Sequence, residues 1–475
     1  MMLSARQILD ATGGSIITDD TAGPRTAAQL TEDIFFSGLS IDSRTIRQGE
    51  LFLALKGNRF DGHDFVQDAL RAGAGAVISR GRPVRYAAGK STILVEDTLF
   101  ALHAIAHSIR KQFGGSVIGV AGSNGKTTTK ELIASVLEVN LNVLKTSGNL
   151  NNHIGMPLSI TKVQENTEVM VLEMGTNKPG DIKELCAIGL PETGVITNIG
   201  QEHLEGFGSL AAVRDSELEL LSCVRKLIIN ADDTFLMEGI EDRFKGLSIT
   251  FGIEAGAADI RAEDIELADR TTKFVLCTGS GRIVIESRLT GRFNIYNSLA
   301  AAATAYAMGF TLDNIKKGLE SFNGLPMRSE VLVRGDVTYI NDAYNANPSS
   351  MEESVKELVR RVKEGHELKR AIAVLGDMLE LGTYSTDAHI KLGRWLSGLP
   401  VDILIGVGPL MSLTVEAFQR KGVAAGNAKD AARELEKLVR EGDVVLIKGS
   451  RGMKMEEALA FAVPGKTSET AGIQK

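Results

Sequence analysis

Cysteine is scarce: Cys186, Cys223 and Cys277 are the only three in 475 residues. They are unclustered in sequence and show neither metal-ligand spacing nor a disulfide framework. That excludes a stapled secreted scaffold and fits a reducing compartment. Long apolar runs are also missing. No uninterrupted stretch approaches the ~18 residues of a membrane span. MMLSARQILDATGG lacks a basic segment leading into an apolar one, so no signal peptide is read. The expectation is a cytoplasmic protein with no membrane insertion. Positive charge is in no excess: Lys+Arg 53 against Asp+Glu 60 leaves −7. The basic footprint of a nucleic-acid binder is therefore absent, although a local basic pocket for phosphates is not excluded. No short repeat period is visible. Glycine, in contrast, is abundant, at 50 residues, about a tenth of the chain against an average near 7%. With 24% charged and 43% hydrophobic residues the composition is that of an ordered globular protein. The length suggests about three domains at roughly 150 residues each.

Residues 1–112 mix short strands (LFLAL 51–55, AVIS 76–79) with helical spacing over 64–74. A helix is expected from a cap at Asp97 or Thr98 to about Phe113, ended by Gly114-Gly115. Over 113–325 the pattern becomes strand–loop–helix. Apolar strands are read at 116–122, 168–175, 193–200 and 226–230, with helices at 128–139 and 296–309 and a more β-like stretch over 247–290. Over 326–475, strands at 337–341, 371–376, 402–408 and 443–449 alternate with helices at 350–362 and 428–439. The polar tail after Pro464 is expected to fray. Such alternation predicts an α/β protein with mostly parallel sheets, and ligands then bind beyond the carboxyl ends of the strands.

SVIGVAGSNGKTTTK (116–130) runs from a strand through glycines into a helix. Backbone N–H groups of Gly122, Ser123, Asn124 and Gly125 can cradle phosphate oxygens at the helix N-terminus. Lys126 would neutralise the β- and γ-phosphates. The Thr127 hydroxyl would hold Mg²⁺, with Thr128 beside it. The strict G-x-x-x-x-G-K-[ST] pattern is not met, since Val120 stands at its first glycine. The bland alternative is a tight turn with a surface lysine. Glu173 and His203 close the apolar strands on the same side and are candidates for a second cation, which prefers oxygen ligands. An ion-paired or capping carboxylate and a buried histidine bonded to backbone are the alternatives.

These motifs resemble those of the Mur ligases, ATP-dependent amide-forming enzymes of bacterial cell-wall synthesis. The likeness covers nearly the whole chain: DSRTIRQGELFLALKGNRFDGHDF (42–65), GSNGKTTTKE (122–131), TSGNLNNHIGMPLS (146–159), LEMGTNKPGDI (172–182), TNIGQEHLEGFGS (197–209), INDAYNANPSSM (340–351), VLGDMLELG (374–382) and KGSRGMKME (448–456). The phosphate loop is shared with folylpolyglutamate synthases. GNLNNHIGMP, DAYNANP and LGDMLELG point to the members that join D-alanyl-D-alanine to UDP-MurNAc-tripeptide. The resemblance implies three domains: 1–112 for the UDP-sugar peptide, 113–325 for ATP, and 326–475, Rossmann-like, for nucleotide and the amine substrate. It implies an acyl phosphate attacked by the amine, ATP and Mg²⁺ as cofactors, and a monomer. Thr127, Glu173 and His203 match metal-site positions, and Asn198 lies on their rim. Asn297 matches an adenine-side residue, and Arg328 and Asp342 match nucleotide contacts. Ser43, Arg44, Phe60, Asp61, Gly62 and His63 lie in the UDP-binding stretch. Asn149, Asn151 and Asn152 fall on the loop facing the muramoyl peptide, with turn chemistry as the alternative.

Two departures follow. Many relatives carry a carbamylated lysine where this chain has Glu217, so Glu217 is expected to supply a carboxylate directly; the alternative is a solvated helix residue. Phe293 stands where the family often has histidine before the adenine-side asparagine. Beside His203, the side chains of His63, His103, His107, His153, His366 and His389 have weaker claims. His103 and His107, an i, i+4 pair with no third ligand, are read as packing or surface residues. The DNPR motif of the diaminopimelate-adding sibling is absent. Rival readings are a sibling ligase with other substrates and a P-loop ATPase or GTPase switch.

Overall fold

A computed structural model of the chain describes residues 2–18, 23–82, 89–240, 243–363 and 369–461. The frayed tail expected after Pro464, and His366, lie outside the described residues. Three larger sheets follow one another along the chain, with a two-stranded pair, Leu3–Ser4 against Phe35–Phe36, beside the first. The first large sheet orders Ser15–Ile17, Ser91–Val95, Gly75–Ser79, Leu51–Leu53 and Leu39–Ser40, parallel apart from its first strand. The second has nine strands. From its antiparallel edge, Gly281–Ser287 and Thr272–Thr278 lead through Ile260–Leu267, Leu247–Gly252, Lys226–Asn230 and Thr193–Ile196 to Ser116–Ala121, Val169–Glu173 and Val143–Lys145. The third has six: Glu330–Arg334 antiparallel to Val337–Asp342, then Val444–Lys448, Ala371–Gly376, Ile403–Val407 and Lys421–Ala425 in parallel.

The apolar runs are the parallel strands. Val169–Glu173 and Ile403–Val407 are buried at every position, as expected where helices cover both faces of a sheet. The helix Thr98–Gln112 is capped by the Asp97 side chain, which accepts the Phe100 N–H. Its buried face, Ala101, Leu102, Ile105, Ala106 and Ile109, joins one continuous core running from Leu3 to Leu236. That core binds the first sheet to one face of the second. His103 and His107 help the seam by bonding the carbonyls of His153 and Ala187, in keeping with their reading as packing residues.

Strand order positions the site. Ser116–Ala121 lies between Val169–Glu173 and Thr193–Ile196, and the chain visits one neighbour and then the other. Register sets Glu173 opposite Val120 and Ile196 opposite Ala121. The loop after Ala121 therefore opens into the crevice where the strand order reverses, with Glu173 on one side and residues 197–203 on the other.

Candidate active site at the phosphate loop

The loop 122–125 turns through positive φ at Gly122 (+114°) and Gly125 (+81°). A Cβ at Gly122 would collide with the Thr197 hydroxyl, and one at Gly125 with the Asn297 amide. Glycine is required there for both conformation and space. Asn198 holds the turn: its Oδ1 accepts the Asn124 N–H at 3.0 Å and its Nδ2 donates to the Asn124 carbonyl. Ser123 exchanges bonds with the backbone of Gly200. Gly125 gives the helix Lys126–Leu137 no side-chain cap, so its first N–H groups and dipole face the crevice.

Around this N-terminus lies a buried ionic cluster. Thr127 Oγ1 donates to Glu173 Oε1 at 3.0 Å, and Asn151 Nδ2 reaches the same oxygen at 3.0 Å. Glu173 Oε2 has no hydrogen-bond partner but lies 3.5 Å from the fully buried ammonium of Lys130. Lys126 Nζ folds back onto the carbonyls of Gly122 and Ser123 and lies 3.3 Å from Glu202. Burial alone would lower the lysine's pKa, but Glu202, Glu217 and Glu173 hold it above its ordinary value. Glu217 is fully buried. Its Oε2 accepts the Gly122 N–H at 2.8 Å, and Oε1 has no partner. It is thus no solvated helix residue. Desolvation pushes its acid up to about 8 despite the nearby Lys126, with Glu202 adding to the rise.

The third sheet's region completes the site. Arg328 Nη2 donates to Thr127 Oγ1 at 2.9 Å, and the guanidinium stacks 3.8 Å from the centre of the Tyr344 ring. Met327 and Ser329, on either side of it, are both left-handed. Ser329 N is held by Asp342 Oδ1, and Asp342 Oδ2 takes Lys448 and Ser354, each at 2.6 Å. Asn347 Nδ2 bonds Asn124 Oδ1 at 2.8 Å across the same junction.

Comparison with known proteins places the chain in a family. The chain matches the Mur ligase family catalytic domain over residues 36–110, the Mur ligase middle domain over 120–305 and the Mur ligase glutamate ligase domain over 327–451. It is 36% identical to the UDP-N-acetylmuramoyl-tripeptide–D-alanyl-D-alanine ligase of Bacillus subtilis (strain 168) over 436 residues, 90% of this chain and 93% of that one. The chain belongs to the Mur ligase family. The enzyme of the same name from Escherichia coli (strain K12) is 33% identical over 94% of this chain and 97% of its own. Among solved structures, MurF from Acinetobacter baumannii superposes with a TM-score of 0.87 at 32% identity, covering 97% and 99% of the two chains. The MurF ligase of Thermotoga maritima in complex with ADP gives 0.79 at 30% identity, covering 90% and 96%.

In this Mur ligase, His203 is engaged elsewhere than at Glu173. It is left-handed (φ 47°), and its Nδ1 lies 2.7 Å from Glu380 Oε2 of the third region, itself left-handed at 66°. Burial works against protonation of the imidazole, but Glu380 and Glu202 raise its pKa overall. Among the described residues no group of three or more His, Cys, Asp and Glu side chains is arranged to hold a metal ion. Asn297 is buried under Gly125 and bonded to Thr129 Oγ1. Thr128 is buried in the same helix turn. Of the three asparagines, Asn151 reaches Glu173, whereas the Asn152 side chain accepts the Ile154 and Gly155 N–H groups as plain turn chemistry. Asn149 contributes its carbonyl to Asn151 N.

In the first sheet's region, Phe60 is 72% exposed, Ser43 is half-buried, and Arg44 is an exposed side chain paired with Asp42. His63, beside Asp61 and Gly62, is locked: Nδ1 lies 2.6 Å from Asp61 Oδ1 and Nε2 accepts the Ser79 N–H. Sequence reasoning missed Glu202, Lys130 and Glu380. Glu202 and Lys130 stand inside quoted motifs as charged residues that the fold buries at 7% and 0% exposure.

Proposed function

We propose that the chain is the ATP-dependent ligase that adds D-alanyl-D-alanine to UDP-N-acetylmuramoyl-tripeptide, giving the pentapeptide precursor of peptidoglycan, ADP and phosphate. The observation that carries this is end-to-end similarity to enzymes of that one specificity, joined to a phosphate loop closed by an arginine from the third region. ATP phosphorylates the terminal carboxylate of the tripeptide. The dipeptide amine attacks the acyl phosphate, and phosphate leaves the tetrahedral intermediate. The loop N–H groups and Lys126 hold the phosphates, and Arg328 reaches the transferring end. The oxygens of Thr127 and Glu173, with the unpartnered Glu217 Oε1, suit a hard cation and would hold Mg²⁺. When bound, Mg²⁺ neutralises charge on the transferring phosphoryl group.

We assign residues 1–112 to the UDP-sugar peptide, with Ser43, Arg44 and Phe60–His63 on the uridine side and Asn149–Asn152 near the peptide. Residues 113–325 take ATP, with Asn297 towards adenine, and 326–475 take nucleotide and dipeptide through Arg328, Asp342 and their neighbours. The reading carries with it a monomer acting in the cytoplasm. Among the described residues no helix is long and apolar enough to cross a membrane. Phosphate release measured with each substrate omitted in turn tests the proposal. Release needing UDP-MurNAc-tripeptide and D-alanyl-D-alanine together supports it, and release that ignores both refutes it.

A further inference from the structure

Between the second and third regions lies a junction that the reaction described above does not use. The short helix Leu204–Phe207 belongs to the second region, yet Leu204, Phe207 and Val213 are buried in one apolar cluster with Met378, Leu381 and Leu392 of the third. Over this plug runs a strap, residues 379–384. Glu380 grips the plug twice: its Oε2 lies 2.7 Å from His203 Nδ1, and its carbonyl accepts the Glu205 N–H at 3.1 Å. The Tyr384 hydroxyl donates to the Gly208 carbonyl at 2.9 Å. Gly382 sits so close that a Cβ there would stand 3.0 Å from the Glu205 Cα. Glu380 and His203 are both left-handed, a conformation that costs a non-glycine residue energy and persists only where its surroundings hold it. A cavity of about 510 Å³, lined in part by Leu204, Ser209, Met378, Tyr384 and Trp395, adjoins the strap. Packing alone therefore does not seal the junction, and the strap's polar ties carry part of the docking.

The plug also reaches the phosphate loop from both of its ends. Glu202, just before it, lies 3.3 Å from Lys126 Nζ. The helix Leu210–Glu217, just after it, ends at Glu217, whose Oε2 accepts the Gly122 N–H at 2.8 Å. Val213, buried in the third region's cluster, stands four residues before Glu217 on that helix, so the two share a face. Segment 202–217 is thus held by the phosphate loop at its ends and by the third region at its middle. We propose that Glu380 and Tyr384 are positioning residues that act on the phosphate loop through this segment. Docking of the strap sets segment 202–217, which in turn sets Glu202 against Lys126 and Glu217 against Gly122. Close-packed elements pass such a shift on rather than absorb it. On the ligase reading above, on which this consequence rests, phosphoryl transfer is tuned by the docking of the region assigned to the dipeptide.

Amide hydrogen exchange on the full chain without ligands reads this coupling directly. The double variant Glu380→Ala, Tyr384→Phe removes both side-chain ties and no buried apolar group, since the two side chains are 62% and 45% exposed. Exchange should quicken roughly tenfold over 203–208 and severalfold over 122–124, while the first sheet is unchanged. Ligase turnover should fall roughly tenfold, with the KM for UDP-MurNAc-tripeptide within about twofold of wild type. Glu380→Gln alone keeps an acceptor for His203 and should retain most of the wild-type exchange and turnover. Tyr384→Phe alone should show the pattern of the double variant at smaller amplitude, so the test stands even where the double variant folds poorly. Exchange over 122–124 that stays at the wild-type rate while 203–208 quickens would make the strap a local tie and overturn the proposal, as would unchanged turnover. Wild-type protein that makes no pentapeptide, with the coupled exchange present, would refute the ligase reading and leave the coupling standing.

Discussion

Replacing Glu217 by glutamine should separate stability from activity. Desolvation lifts the acid from its ordinary 4.5 to about 8, with Lys126 opposing and Glu202 adding to the rise. The folded protein thus keeps a proton that the unfolded chain releases, and folding stability falls as pH rises from about 4.5 to about 8. At about 1.36 kcal/mol per pKa unit, the burden approaches something on the order of 4 kcal/mol by about pH 7.5. Glutamine has the same shape and no charge to lose. Its carbonyl still accepts the Gly122 N–H, and its NH₂ takes the place of the unpartnered Oε1. Glu217→Gln should therefore melt several degrees higher than the parent near pH 8 without nucleotide, with the gain vanishing near pH 5. It should also lose roughly tenfold to a hundredfold in ligase turnover, because the unpartnered carboxylate oxygen is gone. Thermal unfolding at the two pH values, with ligation assayed in parallel, reads both effects. A variant less stable near pH 8, or one with undiminished turnover and Mg²⁺ dependence, would refute the reasoning.

Arg328→Ala removes a charge-assisted hydrogen bond to Thr127 and the stack on Tyr344, a loss of about 1.5–3 kcal/mol. It should weaken ATP use by roughly tenfold to a hundredfold in kcat/KM and lower the melting temperature by several degrees. Gly125→Ala puts a Cβ against Asn297 at a φ of +81°. ATP binding by calorimetry should disappear while the circular dichroism spectrum is retained. His389 is fully buried, with Nε2 accepting the Met378 N–H and Nδ1 bonding the Ser385 carbonyl. Burial holds its pKa below the ordinary 6.5. The unfolded chain takes up a proton that the fold refuses, so stability should decline as pH falls below about 6.5, and His389→Gln should flatten that part of a denaturation–pH profile.

The phosphate loop was legible because its chemistry is local: glycines, lysine and threonine must be adjacent at one helix N-terminus. The buried parallel strands were equally plain. Val143–Lys145 and Lys421–Ala425 went unread because they are short edge strands with little or no buried surface, which leaves no apolar run. The helix expected from Tyr296 begins at Arg292, just after Gly291 at φ +89°, since a left-handed glycine is a stronger boundary than hydrophobic spacing. Lys130 and Glu202 look solvated in sequence, and only tertiary packing buries them. Asn151 and Asn152 are neighbours of one residue type, and only the turn decides which one faces Glu173.

The central claim is tested most directly by the product. Incubated with ATP, Mg²⁺, UDP-MurNAc-tripeptide and D-alanyl-D-alanine, the chain should yield a species with the mass of the UDP-MurNAc-pentapeptide, with ADP and phosphate formed in equal amounts. Nucleotide hydrolysis with no pentapeptide would contradict the account.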